Sequence, residues 1–212
     1  MPNWVYNHLH IHGTPEQIAT IKADLSRPIV RYTTPDWKDL STQVREVVDV
    51  VFSYMNVISP WDQGISEKEY FETHGFGPDG PTGNTDGNWY NWNNANWGVK
   101  WDCDAEQDAD EAEYISYRFD SPWGPPVPVI DALAAKYPTM TFTLSFEEEQ
   151  GWGGEIEYAN GVGTITDEYD IPLCHADYVA RDQEYNCACA WGEPEDFYDD
   201  CPPYVEGEEP RG

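Results

Sequence analysis

Basic residues are scarce in this chain. Its 212 residues include 11 Lys and Arg against 40 Asp and Glu, which gives a formal net charge of −29. Proteins bind free nucleic acid and anionic membranes through Lys and Arg, so we expect neither as a direct partner. A cation or a basic protein surface is the natural partner of this charge, and a protein that normally grips DNA presents such a surface.

Long apolar runs are absent as well. No stretch approaches the roughly 18 apolar residues that a membrane helix needs, and the first residues lack the basic and apolar regions of a signal peptide. These absences predict a cytoplasmic protein with no membrane contact. Aromatic residues, in contrast, make up 15% of the chain, which predicts that most of it buries a core.

Cysteine is limited to five residues, most of them near the end of the chain. Without an export signal, free thiols or a metal site are expected in place of disulfides. One hypothesis is a small closed zinc site of four Cys, or of three Cys with one His. The alternative is free thiols packed in the core, because the set contains only one close pair. The candidate zinc ligands are Cys174, Cys187, Cys189 and Cys201.

A strand is predicted at residues 4–12, where side chains alternate between an apolar face and a second face. Three histidines share the second face: His8, His10 and His12. A His-x-His pair on a strand can bind zinc when a neighbouring strand supplies a third ligand. The alternative for the three is a polar strand face without metal.

Three helices are predicted in the first half of the chain. Thr14 as a cap and Pro15 in the first turn indicate a helix through Leu25. A second helix is predicted from Ser41 to about Val57 on a single apolar stripe, although its β-branched residues have low helix propensity. In the third, the aromatic residues of 89–101 follow helical spacing up to a break at Gly98. They form either an aromatic core or a binding platform.

In the second half of the chain, apolar and polar residues alternate more regularly. Strands are predicted near 114–119, 139–146 and 156–158, with a short helix over 129–134. Residues 102–113, which carry seven acids and no base, are predicted to be a solvated connector.

This order of elements predicts an α+β fold, namely a ferredoxin-like antiparallel sheet with helices on one face. The predicted domain spans residues 1–165 and contains a helical and loop insertion at about 28–87. An acidic, Cys-containing C-terminal extension follows at 166–212.

Clustered acids are the candidate partner-binding residues. Neighbouring carboxylates can also serve hydrolysis or bind a divalent cation, but in a chain with 40 acids they arise from composition alone. The calcium-loop, phosphate-loop and nucleophile-elbow patterns are missing, so we expect no catalytic residue and no bound cofactor. The candidates are Asp102, Asp104, Glu106, Asp108, Asp110, Glu111, Glu113, Glu147, Glu148 and Glu149.

Several motifs resemble a family of phage, prophage and plasmid proteins, the Api-type family of unknown function. They are MPNWVYN at 1–7, NWGVKWD at 96–102, FDSPWGPP at 119–126, and the stretch from Tyr137 to Glu148 followed by GWGG at 151–154. The resemblance covers roughly residues 1–25 and 88–163. It implies a ferredoxin-like fold and a mobile-element origin, and it carries over no catalytic residue.

Three functions remain open at this point. The first is a non-catalytic phage or prophage protein in the host cytoplasm that binds a basic host protein, as a DNA mimic that inhibits a nucleic-acid-binding or defence protein. The second is a zinc-binding module or metal-dependent hydrolase. The third is a virion or replication accessory protein. Mimicry requires carboxylates in one or two stripes on ordered structure, whereas acidity for solubility alone gives an even scatter.

Overall fold

The protein is described by a computed structural model over residues 2–33, 44–71, 76–77, 80–81, 89–172 and 175–181. The strands are β1 (Trp4–His12), β2 (Ile29–Thr33), β3 (Val44–Val48), β4 (Phe76–Gly77), β5 (Gly80–Pro81), β6 (Glu106–Asp110), β7 (Tyr114–Pro122), β8 (Thr141–Glu148), β9 (Gly153–Ala159) and β10 (Val162–Tyr169). The helices are α1 (Pro15–Leu25), α2 (Glu67–Phe71), α3 (Trp89–Asn96), α4 (Val127–Lys136) and α5 (His175–Ala180).

The strand predicted at residues 4–12 is confirmed as β1. Its burial alternates along its length: Val5, Leu9 and Ile11 are buried, whereas Trp4 and Tyr6 are exposed. β1 is a central strand of the main sheet, because it pairs antiparallel with β7 on one side and with β8 on the other.

The main sheet has six strands in the order β10-β9-β8-β1-β7-β6. Within it, β1, β6, β7 and β8 are the first to fourth strands of a β-α-β-β-α-β unit, with α1 after β1 and α4 after β7. Their spatial order is fourth, first, third, second, which is the order of a split β-α-β fold. The predicted ferredoxin-like α+β fold is therefore confirmed, and β9 and β10 extend it beyond β8.

The second strand of this unit, β6, lies in the segment predicted to be a connector. That prediction is wrong for Glu106–Asp110, which pair antiparallel with β7 around a bulge between Gln107 and Ala109. An edge strand with charged side chains has no apolar alternation to reveal it. The register of β6 depends on β7, whose alternating apolar residues predict a strand from the sequence.

α1 and α4 cover one face of the sheet. Thr14 caps α1 as predicted, since its hydroxyl accepts a hydrogen bond from the Gln17 N–H. In turn, the side-chain oxygen of Gln17 accepts a hydrogen bond from the Thr14 N–H. Both helices bury an apolar stripe in the same core as the inward side chains of β1, β7 and β8. The buried helix residues are Ile18, Ile21, Leu25, Val129, Ile130, Leu133 and Ala134.

The helix predicted from Ser41 to about Val57 is wrong over its described residues, 44–57. Residues 44–48 of the expected helix form β3, which pairs with β2, and residues 54–56 form one 3-10 turn. β-Branched side chains favour a strand, and no packing partner overrides that preference here. Phe52 and Tyr54 then join the core, where Phe52 lies 5.5 Å from the ring of Tyr117.

Two compact units divide the chain. The first comprises residues 1–149 and 153–168, and the second comprises 150–152 and 169–212. In the second unit, the Arg181 side chain donates to the carbonyls of Gly151 and Asp170. No helix among the described residues is long and apolar enough to cross a membrane.

Candidate interaction surface

The face of the sheet opposite α1 and α4, here called the outer face, is the main candidate surface of the first unit. It carries the outward side chains of β1 with their cross-strand neighbours on β7 and β8. Tyr6 is 53% exposed, and the side chain of Arg118 is 59% exposed. An ordered sheet face that is partly open to solvent can present side chains in fixed positions to a partner.

The three predicted histidines lie in a row along this face. The rings of His8 and His10 are 3.9 Å apart, and His12 stacks on Tyr114 at 4.6 Å. His10 Nδ1 is 2.7 Å from the Tyr114 hydroxyl. Burial lowers the pKa of both His8 and His10 below the ordinary value, with Asp108 opposing that shift at His8 and neighbouring histidines adding to it at His10.

The rings of this row pack against one another and against Tyr114, with His8 and His10 tilted by 42°. Among the described residues, no group of three His, Cys, Asp or Glu side chains is arranged to hold a metal ion. The four cysteines of the zinc hypothesis, Cys174, Cys187, Cys189 and Cys201, lie outside the described residues. The fifth, Cys103, is a free and buried thiol. Its burial raises its pKa, which makes it unreactive.

One row of acids borders the outer face at β6, here called the β6 acid row: Asp104 and Glu106. The side chain of Asp104 is 97% exposed, and Glu106 is exposed opposite Arg118 of β7. Asp104 forms an ion pair with Arg31 of β2, with Nη1 and Oδ1 3.6 Å apart. Asp108, at the bulge, is also paired, with its carboxylate 2.8 Å from the Arg118 guanidinium and 3.5 Å from His8 Nε2.

A second row borders the face at β9, here called the β9 acid row: Glu155 and Glu157. They lie opposite Ser145 and Thr143 of β8, and Glu157 is exposed. Four strand spacings of about 4.8 Å separate β9 from β6, so the two rows are about 19 Å apart. The sequence analysis did not single out this second row, because its acids alternate with apolar residues and form no cluster.

Two of the predicted partner-binding acids are shielded from solvent, Glu148 fully and Asp102 in part. Glu148 is buried with 1% exposure. The Asp102 carboxylate accepts hydrogen bonds from the Ser53 hydroxyl at 2.5 Å and from the backbone N–H groups of Tyr54 and Cys103 at 2.8 and 2.9 Å. Burial raises the pKa of Asp102 in spite of these bonds. Glu148 lies on the inward side of β8, opposite the buried Val5 of β1, which a count of acids cannot show.

The other predicted acids are on the surface with different surroundings. Asp110 forms an ion pair with Lys22 of α1, on the helical side of the sheet. Glu111, Glu113 and Glu149 are exposed, and Glu147 is partly exposed.

A cluster of exposed tryptophans, here called the Trp patch, comprises Trp4, Trp101 and Trp123. The ring of Trp101 stacks between the other two, at 6.1 Å from Trp4 and 6.3 Å from Trp123. Trp123 is 55% exposed, and the other two are 36% exposed. Lys100 Nζ lies 4.4 Å from the centre of the Trp101 ring and 5.8 Å from that of Trp123.

Sequence reasoning did not assemble this patch, because its members come from three distant segments. Within the run 89–101, the core interpretation is confirmed for Trp92 and Trp97, which are buried, and does not hold for Trp101. α3 ends at Asn96, and Gly98 adopts a positive φ of 75°, a conformation that glycine adopts without strain.

Trp123 is held in a strained turn. Its φ is +63°, although Gly124 follows directly. A non-glycine residue in this region costs about 1–3 kcal/mol and persists only when its surroundings enforce it. Here the buried Asn7 amide donates to Ser121 Oγ at 2.8 Å, and that hydroxyl donates to the Gly124 carbonyl at 2.7 Å. The Trp123 N–H donates to the Asn3 carbonyl at 2.9 Å.

Comparison with known proteins supports the fold. Residues 96–187, somewhat under half of the chain, match the family model described as the ferredoxin-like domain in Api92-like protein. The resemblance to Api-type proteins is thus confirmed over this domain. The solved structure of a protein api92 from Yersinia pseudotuberculosis is similar with a TM-score of 0.46 and 12% identity, over 81% of this chain and 99% of that chain. No curated protein matches the chain.

Proposed function

We propose that this chain is a non-catalytic phage or prophage accessory protein that binds a basic surface of a host protein in the host cytoplasm. In its specific form, the outer face acts as a DNA mimic and inhibits a nucleic-acid-binding or defence protein. The observation that carries the proposal is the pair of carboxylate rows on opposite sides of one open sheet face. The phage setting rests on the motifs shared with Api-type proteins.

The spacing of the carboxylates supports mimicry. Both rows consist of acids two residues apart, Asp104 with Glu106 and Glu155 with Glu157. Alternate side chains on a strand lie about 6.7 Å apart, and one DNA strand carries a charge every 3.4 Å or so along the axis. The β9 acid row, whose two acids lie within one strand, therefore presents charges at a spacing of the same order as that of phosphates along one DNA strand.

The rigidity of the rows supports specific binding. β6 and β9 are hydrogen-bonded into the six-stranded sheet, so Glu106, Glu155 and Glu157 are already ordered before a partner arrives. Asp104 precedes β6 and is paired with Arg31. A preformed surface avoids much of the entropy that a disordered acidic segment loses on binding. Because the two acid rows lie on either side of the histidine row, the proposal places contact on the outer face rather than on the helical face.

Capture from host lysate tests the proposal at about 0.1 M and about 1 M salt, where the Debye length falls from about 10 to 3 Å. We expect a specific basic protein to be retained at low salt, to be lost at high salt, and to be displaced by duplex DNA. Direct titration of that purified protein then gives the affinity.

A matched pair of variants localises the contact. Glu106→Gln with Glu157→Gln removes one charge from each row, whereas Asp62→Asn with Glu69→Gln removes the same charge from exposed positions of the insertion. The first pair should weaken binding at least tenfold, and the second less than threefold, if buried charge contacts are each worth about 1 kcal/mol or more. Equal losses would show that net charge alone drives binding, and the mimic proposal would then be abandoned.

A further inference from the structure

We infer that the Trp patch, with Asp120 and Glu147 beside it, is a docking site for an arginine side chain of the basic partner. This inference rests on the proposed function, which supplies the basic partner. It adds aromatic stacking, which a surface made of carboxylates alone does not offer. Arg combines a planar face that stacks on indole rings with a fork that fits carboxylates, whereas Lys offers only a point charge.

The aromatic side of the site is preformed. The Trp101 ring joins Trp4 and Trp123 into one continuous stack, and the Asn7–Ser121–Gly124 hydrogen bonds fix the turn that carries Trp123. A large apolar side chain that is 55% exposed on a strained backbone contributes little to the core. Strain of this kind occurs preferentially at binding sites, where it places a side chain in advance.

Carboxylates adjoin the aromatic surface. Tyr6 lies two residues from Trp4 on the same face of β1, with Asp120 directly opposite on β7 and Glu147 directly opposite on β8. Directly opposed residues of antiparallel strands are about 4.5–5.5 Å apart at Cα. Asp120 and Glu147 therefore lie on either side of Tyr6 next to the aromatic surface, where a carboxylate can accept from the N–H groups of a guanidinium stacked on the indoles.

Asp120 is well suited to gain from such a partner. Burial and the nearby Glu106 carboxylate both raise its pKa above the ordinary value, so its charged form is disfavoured in the free protein. An arriving guanidinium offsets that repulsion.

Lys100 shows that this aromatic surface accommodates a cation. Its ammonium lies within 6 Å of the ring centres of Trp101, Trp123 and Tyr90. Lys100 therefore occupies part of the surface that an incoming guanidinium would use, and it repels that guanidinium as well. Its removal should strengthen binding, which is a change opposite in sign to that expected from a structural residue.

The test compares nona-arginine with nona-lysine at about 0.15 M salt, by calorimetry and by the NMR shifts of the indole N–H groups. These peptides have the same charge, so the ratio of their affinities measures what the guanidinium adds beyond charge: stacking on the indoles and paired hydrogen bonds to carboxylates. We expect nona-arginine to bind about two- to tenfold tighter and to shift the indole signals of Trp101 and Trp123. Trp123→Gly should abolish the preference and leave nona-lysine binding unchanged.

Controls separate folding and charge from docking. Glycine adopts the positive φ at this turn without strain, so Trp123→Gly should fold at least as stably, and Trp123→Asn repeats the test with another residue that tolerates this conformation. Lys100→Gln should raise nona-arginine affinity about two- to fivefold more than Lys136→Gln, which removes the same charge on α4.

The outcomes distinguish the two proposals. An affinity ratio near one in the wild type, or a preference that survives Trp123→Gly, overturns the arginine site while leaving the acid rows untouched. Conversely, a preference for arginine that depends on Trp123, with no effect of the Glu106 and Glu157 substitutions on partner binding, supports the docking site and removes the mimic.

Discussion

Asp102 provides the sharpest test of the structure, because the sequence predicts a surface role for it. Its carboxylate accepts from the Tyr54 N–H and the Ser53 hydroxyl, and both of these residues have 0% exposure. Asp102→Ala leaves three buried donors without that acceptor, because the Cys103 N–H loses it as well. A buried donor without an acceptor costs about 1–3 kcal/mol, although a shared or replaced partner reduces the total. Since the Ser53 hydroxyl can rotate toward another acceptor, we expect a total loss of about 3 kcal/mol in the free energy of unfolding.

Urea unfolding measures this loss. With a slope of about 2 kcal/mol per molar urea, the midpoint of Asp102→Ala should fall by about 1.5 M. Asp102→Asn keeps one carbonyl oxygen as an acceptor for the Tyr54 N–H, so its loss should be about 1 kcal/mol. Asp104→Ala serves as the neighbouring control, since its 97% exposed carboxylate should contribute less than about 0.5 kcal/mol.

Two results would refute this reasoning. One is an Asp102→Ala protein within about 0.5 kcal/mol of wild type, which would mean that water replaces the carboxylate. The other is an equal loss in Asp102→Ala and Asp102→Asn, which would assign the effect to the charge rather than to the hydrogen bonds.

Three further predictions concern charge, pH and packing. Raising NaCl from about 0.05 to 0.5 M should increase the urea midpoint, because screening reduces the self-repulsion of a chain with a net charge of −29; an unchanged or lower midpoint would contradict this. His8 and His10 have lowered pKa values in the fold, so the unfolded state binds more protons just below pH 6.5, and stability should fall as pH decreases through that window. Replacing both with Asn should flatten that part of the pH profile. Gly154→Ala places a Cβ 2.5 Å from the Asp167 carbonyl oxygen and should lower the free energy of unfolding by about 1–3 kcal/mol, measured by thermal or urea unfolding. The control Gly124→Ala places a Cβ with no atom within 4 Å and should be nearly neutral.

Sequence reasoning succeeded where a local signal and the tertiary environment agree. In β1 the alternation of Val5, Leu9 and Ile11 with other side chains matches a strand that is buried on one face. In α1 the Thr14 cap and the spacing of Ile18 and Ile21 define both the start of the helix and its buried stripe. These elements could be placed because each depends on residues close in sequence.

It failed where the deciding contact comes from elsewhere in the chain. β3 carries an apolar spacing that fits a helix, yet its valines form a two-stranded sheet with β2, and Val47 is 64% exposed. β6 is a strand only because β7 supplies its hydrogen bonds. The hairpin from β9 into β10 turns at Asn160 and Gly161, both with positive φ, but β10 has no buried face to mark it as a strand.

The candidate surface was predictable in character and not in detail. Composition predicts an acidic surface, and the basic partner expected from it stays a prediction. The histidine row follows from the period of β1. The positions of the carboxylate rows depend on strand order, which brings Glu106 and Glu157 to opposite sides of one face. The Trp patch depends on three segments that meet only in the folded chain, so no local pattern could reveal it.

The position of β1 has a consequence for synthesis on the ribosome. Both neighbours of this strand are encoded far downstream, since Asn7 pairs with Phe119 on one side and with Phe146 on the other. At about 5–20 residues per second, β1 emerges roughly 5–30 seconds before its pairing is complete. Until its partner strands are made, β1 lacks hydrogen-bond partners at its edges. The nascent chain therefore presents an unpaired strand to chaperones and to other nascent chains on the same mRNA. Acidic residues downstream of it would then keep nascent copies apart until β8 closes the sheet.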